Sequence, residues 1–243
     1  MRIAALYDIH GNLPALEAVL SDVRGMDVEL VMVGGDVLPG PMPVESLDRL
    51  RDLDLPVGYL RGNGERETLA AVDGEELTTV PVAYRPPIEW VAAALGPAHV
   101  AGLRQWPATL ELAMPGVGTV LFCHATPRSD TELFTRVTPE ARVAAAFDGV
   151  GASLVVCGHT HMPFDRRIAG LRVVNAGSVG MPFGDPGAYW LLVDEDGPRL
   201  MRTMFDLDAA ARRIRATAYP GADWFASNHV LTPPTEAQML AVL

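Results

Sequence analysis

Apolar residues in this chain come in short runs that stop at glycine-bearing loops, and between these runs they recur at helical spacing. Arg2–Tyr7 (RIAALY) reads as a buried strand closed by Asp8-Ile9-His10-Gly11-Asn12. Leu13, Leu16, Val19, Leu20 and Val23 then share one helical face, with Asn12 as N-cap and Pro14 in the first turn. Val28–Val33 (VELVMV) is a second strand, stopped by Gly34-Gly35-Asp36. Strand, helix, strand with a right-handed crossover is the unit of an α/β fold. A helix near Val44–Leu53 leads to a third strand, Pro56–Leu60, closed by Arg61-Gly62-Asn63-Gly64, and Glu65–Val72 again has a helical pattern.

Residues 73–107 are less regular, with helices expected at Ile88–Leu95 and Ala98–Trp106. This stretch is too short to bury a core of its own, so it reads as a helical excursion capping a single domain over 1–243. Ala108–Met114 and Val117–Phe122 form a hairpin about Pro115-Gly116 and end at Cys123-His124. After a helix at Pro139–Phe147, the run Leu154–Val156 stops at Gly158, which lets the backbone leave extended geometry so that His159 and His161 converge. The runs Phe164–Ile168, Leu171–Asn175, Ala188–Val193 and Arg199–Phe205 suggest a second, largely antiparallel sheet. An amphipathic helix, Leu207–Ala218, opens a C-terminal helical tail over 207–243.

Hydrophobic residues make up 49% of the 243, which fits a packed core and not a disordered chain. Charges and prolines interrupt every run long before a membrane span is reached. The first twelve residues meet Asp8 too early for a signal segment, so the chain is expected to be unprocessed and cytoplasmic. The net charge of −11 repels polyanions and argues against stable nucleic-acid binding, while bound cations would still admit a small phosphorylated substrate. Every basic residue is arginine, which removes P-loop and Schiff-base lysines from consideration. Cys123 and Cys157 form no disulfide framework and read as small buried hydrophobes.

Five strand ends carry donors of one kind: Asp8 with His10, Asp36, Asn63, His124, and His159 with His161. Each has a bland reading taken singly: a capped turn, a solvated aspartate, two polar loop residues. Ligands in open α/β sheets bind outside the carboxyl ends of strands, where such loops converge. Seven nitrogen and oxygen donors exceed one tetrahedral ion and suit two cations sharing a carboxylate. The mixture of His, Asp and Asn favours Mn, Fe, Zn or Ni over calcium.

The order DxH, GGD, GN, H, GHTH, followed by Asn175-Ala176-Gly177-Ser178-Val179-Gly180, resembles the calcineurin-like metallophosphoesterases, and among them the small bacterial and archaeal phosphodiesterase branch. The resemblance implies a four-layer α/β/β/α sandwich of two mixed sheets flanked by helices. It places one ion on Asp8, His10, His161 and Asp36, and the other on Asp36, Asn63, His124 and His159, with manganese foremost. It further implies a phosphodiesterase that hydrolyses a small phosphorylated substrate. Two ions about 3.5–4 Å apart would make a bridging hydroxide for in-line attack. Asp36, Asn63 and His124 would then be catalytic as well as ligating. The alternative is a catalytically weak or inactive scaffold or regulatory protein of the same fold, as in the retromer subunit similar to this family.

One position departs from that pattern. Many members carry a histidine and then an acid after GN, and that histidine is thought to protonate the leaving group; here Gly64 and Glu65 follow. General-acid help is worth roughly 10²–10⁴-fold, so substrates with undemanding leaving groups are expected, unless Glu65 or a water moves the proton. On this reading Gly64→His should raise phosphomonoesterase activity relative to diesterase activity. Arg128 is a candidate phosphate clamp, or a surface partner of Asp130 or Glu132, and Arg61 and Arg66 beside GN are open to both readings. Met162 and Met181-Pro182-Phe183 are either an apolar wall of the site or core. Leu231, Met239, Leu240 and Leu243 are a partner or self-association surface, or simply pack on the core.

Overall fold

Ile3 and Ala5 of the first strand, with Tyr7 just after it, join one apolar layer, and Ala4 and Leu6 join another. Both faces of the strand are therefore covered, the arrangement that parallel strands require. The computed structural model, which describes residues 1–243, has ten strands: β1 (Ile3–Leu6), β2 (Leu30–Val33), β3 (Val57–Tyr59), β4 (Thr109–Met114), β5 (Gly118–Cys123), β6 (Leu154–Cys157), β7 (Phe164–Ile168), β8 (Leu171–Asn175), β9 (Ala188–Asp194) and β10 (Gly197–Thr203). They make two five-stranded mixed sheets, ordered β10-β9-β1-β2-β3 and β4-β5-β6-β8-β7. β1, β2 and β3 run parallel, as do β5, β6 and β8, so each sheet points a set of strand ends at one edge.

Period-two alternation assigns the layers. Tyr7, Met32, Leu191 and Val193 from the first sheet meet Val120, Phe122, Leu154, Val156 and Val174 from the second. The outer face of the first sheet packs on α1 (Leu13–Arg24), α2 (Pro43–Arg51) and α7 (Leu207–Arg215), through residues such as Leu16, Leu50, Trp190 and Ile214. The outer face of the second packs on Phe134, Phe147 and the short helix α6 (Glu140–Val143). The result is the expected four-layer α/β/β/α sandwich. Asn12 caps α1 by accepting from the Ala15 N–H at 3.3 Å.

The last four strands do not form a sheet of their own. β7 and β8 extend β4–β6, and β9 with β10 covers the edge of β1 by antiparallel pairing. Hairpin patterning looks the same whichever sheet the hairpin joins, and the first sheet gains a partner for an edge that would otherwise stand bare. α3 (Asn63–Val72) starts at Asn63 itself, two residues before the expected start. The excursion holds a 3₁₀ turn at Val82–Tyr84, α4 (Arg85–Ala94) and α5 (Pro97–Leu103). In the tail, α8 (Ala222–Phe225) continues as a π-helical stretch, Ala226–Leu231, before α9 (Glu236–Leu240). No helix is long and apolar enough to cross a membrane.

Candidate metal centre

The loops after β1, β2, β5 and β6 bring six of the strand-end donors together, and the loop after β3 sets Asn63 beside Gly64, whose N–H reaches Asp36. Five of the seven non-glycine residues with positive φ are among these donors: Asp8 (53°), His10 (47°), Asp36 (53°), His159 (68°) and His161 (57°). Left-handed backbone is costly for residues with a Cβ and persists where the surroundings over-determine it. The turn is therefore made by the histidines themselves and not by Gly158, whose φ is not in that region. Gly158 serves close approach instead, since a Cβ there would lie 2.5 Å from Oδ2 of Asp8.

Hydrogen bonds show what holds these residues in place. The backbone N–H of His159 donates to Oδ2 of Asp8 at 2.8 Å, and the His10 N–H donates to the Asp36 carbonyl at 2.9 Å. The turn Asn175–Gly180 clamps the first loop. Ser178 Oγ and the Gly180 N–H both reach the Asp8 carbonyl, at 2.8 and 2.9 Å. Asn175 Nδ2 donates to the Gly158 carbonyl at 2.6 Å, which steadies the histidine loop from beneath.

Two groups of side chains result, Asp8–His10–His161 and Asp36–His124–His159, each with its donor atoms within 4.8 Å of one another. Oδ2 of Asp36 lies 3.8 Å from Nε2 of His10, and Oδ1 of Asp36 lies 3.4 Å from Nε2 of His124. One carboxylate thus faces both groups. His161 Nε2 is 3.2 Å from His10 Nε2 and 3.4 Å from Oδ1 of Asp8. Three imidazoles turn Nδ1 to backbone carbonyls: His10 to Pro39 (3.2 Å), His124 to Gly34 (3.0 Å) and His161 to Met181 (2.7 Å). Such bonds place the proton on Nδ1 and free Nε2 as a ligand.

Burial opposes charge on both carboxylates, yet His161 holds Asp8 below the usual carboxylate range and His124 does the same for Asp36. Burial also opposes an imidazolium at His124, but Asp36 and then Asp8 outweigh it and push His124 up to about 10. At His159 burial and the His124 charge act together, lowering it to about 4. These are acids and bases packed more tightly than their own charges favour, as in sites built for cations.

Three of the eight buried side-chain atoms without a partner bear on whether cations fit. Oδ1 of Asp8, Nε2 of His124 and Oδ1 of Asn63 have no hydrogen-bond partner. An unpaired buried polar atom costs about 1–3 kcal/mol. All three belong to the predicted ligands, and each can give a lone pair to a divalent ion, His124 once its ring has lost a proton. The donor set fits two such ions.

The remaining candidates separate. Glu65 is fully buried, and its carboxylate accepts the N–H groups of Asp36 (2.9 Å), Leu38 (3.0 Å) and Gly62 (2.9 Å). Burial and the Asp36 charge raise it to about 7, against the pull of those three bonds. The geometry is that of a staple joining the loops after β2 and β3. Gly64 donates its N–H to Oδ1 of Asp36 at 2.7 Å, and a Cβ on it would lie 2.0 Å from the Leu38 carbonyl oxygen. Glycine is thus a packing requirement there, and the expected gain from Gly64→His is withdrawn. Arg128 is paired with Glu132 and exposed, so the surface reading holds for it. Arg66 makes a bidentate pair with Asp130 at 2.7 and 3.2 Å. Arg61 has no carboxylate partner, and with Arg66 and Arg104 it lines a cleft of about 490 Å³ beside the Asn63 loop. Met162 is core, whereas Phe183 stacks on the His161 ring at 4.9 Å. Sequence reasoning passed over Glu67, whose carboxyl is raised first by burial while the Asn63 side chain pulls it back; its helical i+4 spacing from Asn63 was the available signal.

Comparison with known proteins agrees with this geometry. The family described as calcineurin-like phosphoesterase superfamily domain matches residues 1–197. An uncharacterized protein of Methanocaldococcus jannaschii is 27% identical over 237 residues, covering 90% of this chain and 93% of its own. Among solved structures, a metallophosphoesterase from Sphaerobacter thermophilus superposes with a TM-score of 0.73 at 24% identity, covering 100% of this chain and 99% of that one. A hypothetical protein from Pyrococcus horikoshii OT3 gives a TM-score of 0.78 at 21% identity, covering 96% and 99%. At such identities the two structures are similar in fold.

Proposed function

This chain belongs to the calcineurin-like phosphoesterase superfamily, and from that premise we propose that it is a dinuclear-metal phosphodiesterase acting on a small phosphorylated substrate. The observation that carries the reading is the pair of three-residue donor groups faced by the two oxygens of Asp36, with Asn63 alongside. Asp8, His10 and His161 with Asp36 would hold one ion, and Asn63, His124 and His159 with Asp36 the other. Mn, Fe, Zn and Ni suit these donors, with manganese foremost. The ions would supply Lewis-acid neutralisation of the phosphoryl oxygens and lower the pKa of water.

The protein's own residues bear on the choice of substrate. Nothing bulkier than hydrogen fits at position 64, and all the backbone N–H groups around Glu65 are spent on its carboxylate. Neither residue is free to pass a proton to a leaving group, which favours esters whose alcohol departs with little help. Arg61, without a carboxylate partner and next to Gly62-Asn63, is the guanidinium this reading assigns to the phosphoryl group. Glu65 acts as a positioning residue.

Manganese-loaded protein assayed on bis-p-nitrophenyl phosphate and p-nitrophenyl phosphate tests the proposal. A higher kcat/KM for the diester is expected. No turnover of either with Mn, Fe, Zn or Ni would overturn it and leave the metal-binding scaffold.

A further inference from the structure

The family match ends at residue 197, and the chain beyond it returns to the site. The Gly184 N–H donates to the Pro234 carbonyl at 2.9 Å, and Arg136 pairs with Glu236. These bonds strap the tail across the loop 181–184, the loop whose Met181 carbonyl accepts from His161 and whose Phe183 stacks on the His161 ring. The strap contains the π-helical stretch Ala226–Leu231, a rare geometry that occurs often at functional positions.

His229 lies in that stretch. It is 5% exposed, and neither ring nitrogen has a hydrogen-bond partner. A neutral imidazole has one donor and one acceptor, so both are buried and unpaired, each at a cost of about 1–3 kcal/mol. Three of the four imidazoles among the donors, His10, His124 and His161, each secure Nδ1 on a carbonyl. The His229 ring sits instead in an aromatic collar, edge-on to Trp224 at 4.7 Å and tilted against Phe225 at 5.4 Å. Phenylalanine would fill such a collar as well, without two unpaired nitrogens. The ring lies shortly before Pro234, whose carbonyl holds the loop that carries the His161 partners Met181 and Phe183, and burial first, then the His161 and His10 charges, lower it to about 3 and keep it neutral.

We propose that His229 is a positioning residue of the metal centre, hydrogen-bonding an oxygen in the coordination sphere of the cation held by Asp8, His10 and His161. The inference rests on the dinuclear reading above. It makes the C-terminal strap part of the site, contributed by chain that lies outside the family match.

The test is calorimetric titration of the full chain with Mn²⁺ for the wild type, His229→Phe and His229→Gln, alongside melting of the metal-free proteins. We expect two ions in the wild type, and about 10–100-fold weaker binding of one of them in His229→Phe. Most of that affinity should return in His229→Gln, which can still hydrogen-bond. The metal-free His229→Phe protein should melt at or above the wild-type temperature. Unchanged affinity for both ions in His229→Phe overturns the inference. So does a fall in metal-free melting temperature shared by both variants, which would assign the imidazole to folding. Wild type that binds neither ion overturns the dinuclear reading itself, a different failure from a wild type that binds two and a variant that binds them equally.

Discussion

The backbone N–H of Gly64 donates to Oδ1 of Asp36 at 2.7 Å, so the residue that departs from the family pattern grips the carboxylate that faces both donor groups. A side chain on residue 64 would strike the Leu38 carbonyl before it reached the site. Gly64→Ala and Gly64→His should therefore both weaken metal binding and activity, with no rise in the monoester-to-diester ratio. Kinetics on the two p-nitrophenyl esters check this; a raised ratio in Gly64→His would show that the loop yields.

Asp36→Asn should impair both ions together. Its two oxygens look toward His10 and His124, and loss of a bridging charge exceeds the ~10–100-fold that an outer partner is worth. Metal analysis after dialysis should show less of both ions. Loss of only one would confine Asp36 to one group.

Glu65→Ala leaves three buried N–H groups without an acceptor, at about 1–3 kcal/mol each. For a chain of this size each kcal/mol is about 2–4 °C of melting temperature. The melting point of the metal-free protein should fall by roughly 10 °C or more, and Glu65→Gln should recover part of it. If Glu65 were instead a proton donor, Glu65→Gln would keep the stability and lose kcat.

Metal binding should release protons. His124 is pushed up to about 10 in the metal-free protein, chiefly by Asp36 against the effect of burial, so it is an imidazolium at neutral pH. Its folded value lies above the unfolded one. The stability it lends the metal-free protein is thus complete below about pH 6.5 and is lost as pH rises through about 10. Cations need the neutral ring, so their affinity should rise over the same interval. Calorimetry in two buffers of different ionisation enthalpy should find about one proton or more released; heats independent of buffer would contradict this.

Arg61 and Arg128 should part company. Arg61→Ala is expected to raise KM about 10-fold or more, the worth of a charge-assisted bond, with a smaller change in kcat. Arg128, exposed and occupied by Glu132, should give a change within about 2-fold when replaced by alanine. Equal effects would move the substrate away from the Arg61 cleft.

What the sequence made legible was whatever repeats locally. The strand runs, the Asn12 cap and the donors at strand ends follow from patterns a few residues long, and the structure gathers six of the seven donors in two groups, with Asn63 next to the Gly64 that bonds Asp36. The placement of β9 and β10 did not follow, because their pattern is that of any hairpin. Nor did the parts of Glu65 and Gly64, which depend on the Leu38 carbonyl and the Asp36 N–H more than twenty residues away. His229 belongs to no motif at all, and only its unpaired nitrogens reveal it.

The five left-handed donor residues also decide how the site should be dismantled in the laboratory. Each bears strain of roughly 1–3 kcal/mol, which together rivals the whole stability of an ordinary domain. Replacing His159 or His161 by alanine removes a proposed ligand and keeps the strain, whereas glycine removes both. Glycine variants should therefore be metal-deficient proteins that melt higher than their alanine counterparts. The wild-type chain gives up that stability at the residues proposed to hold its cations.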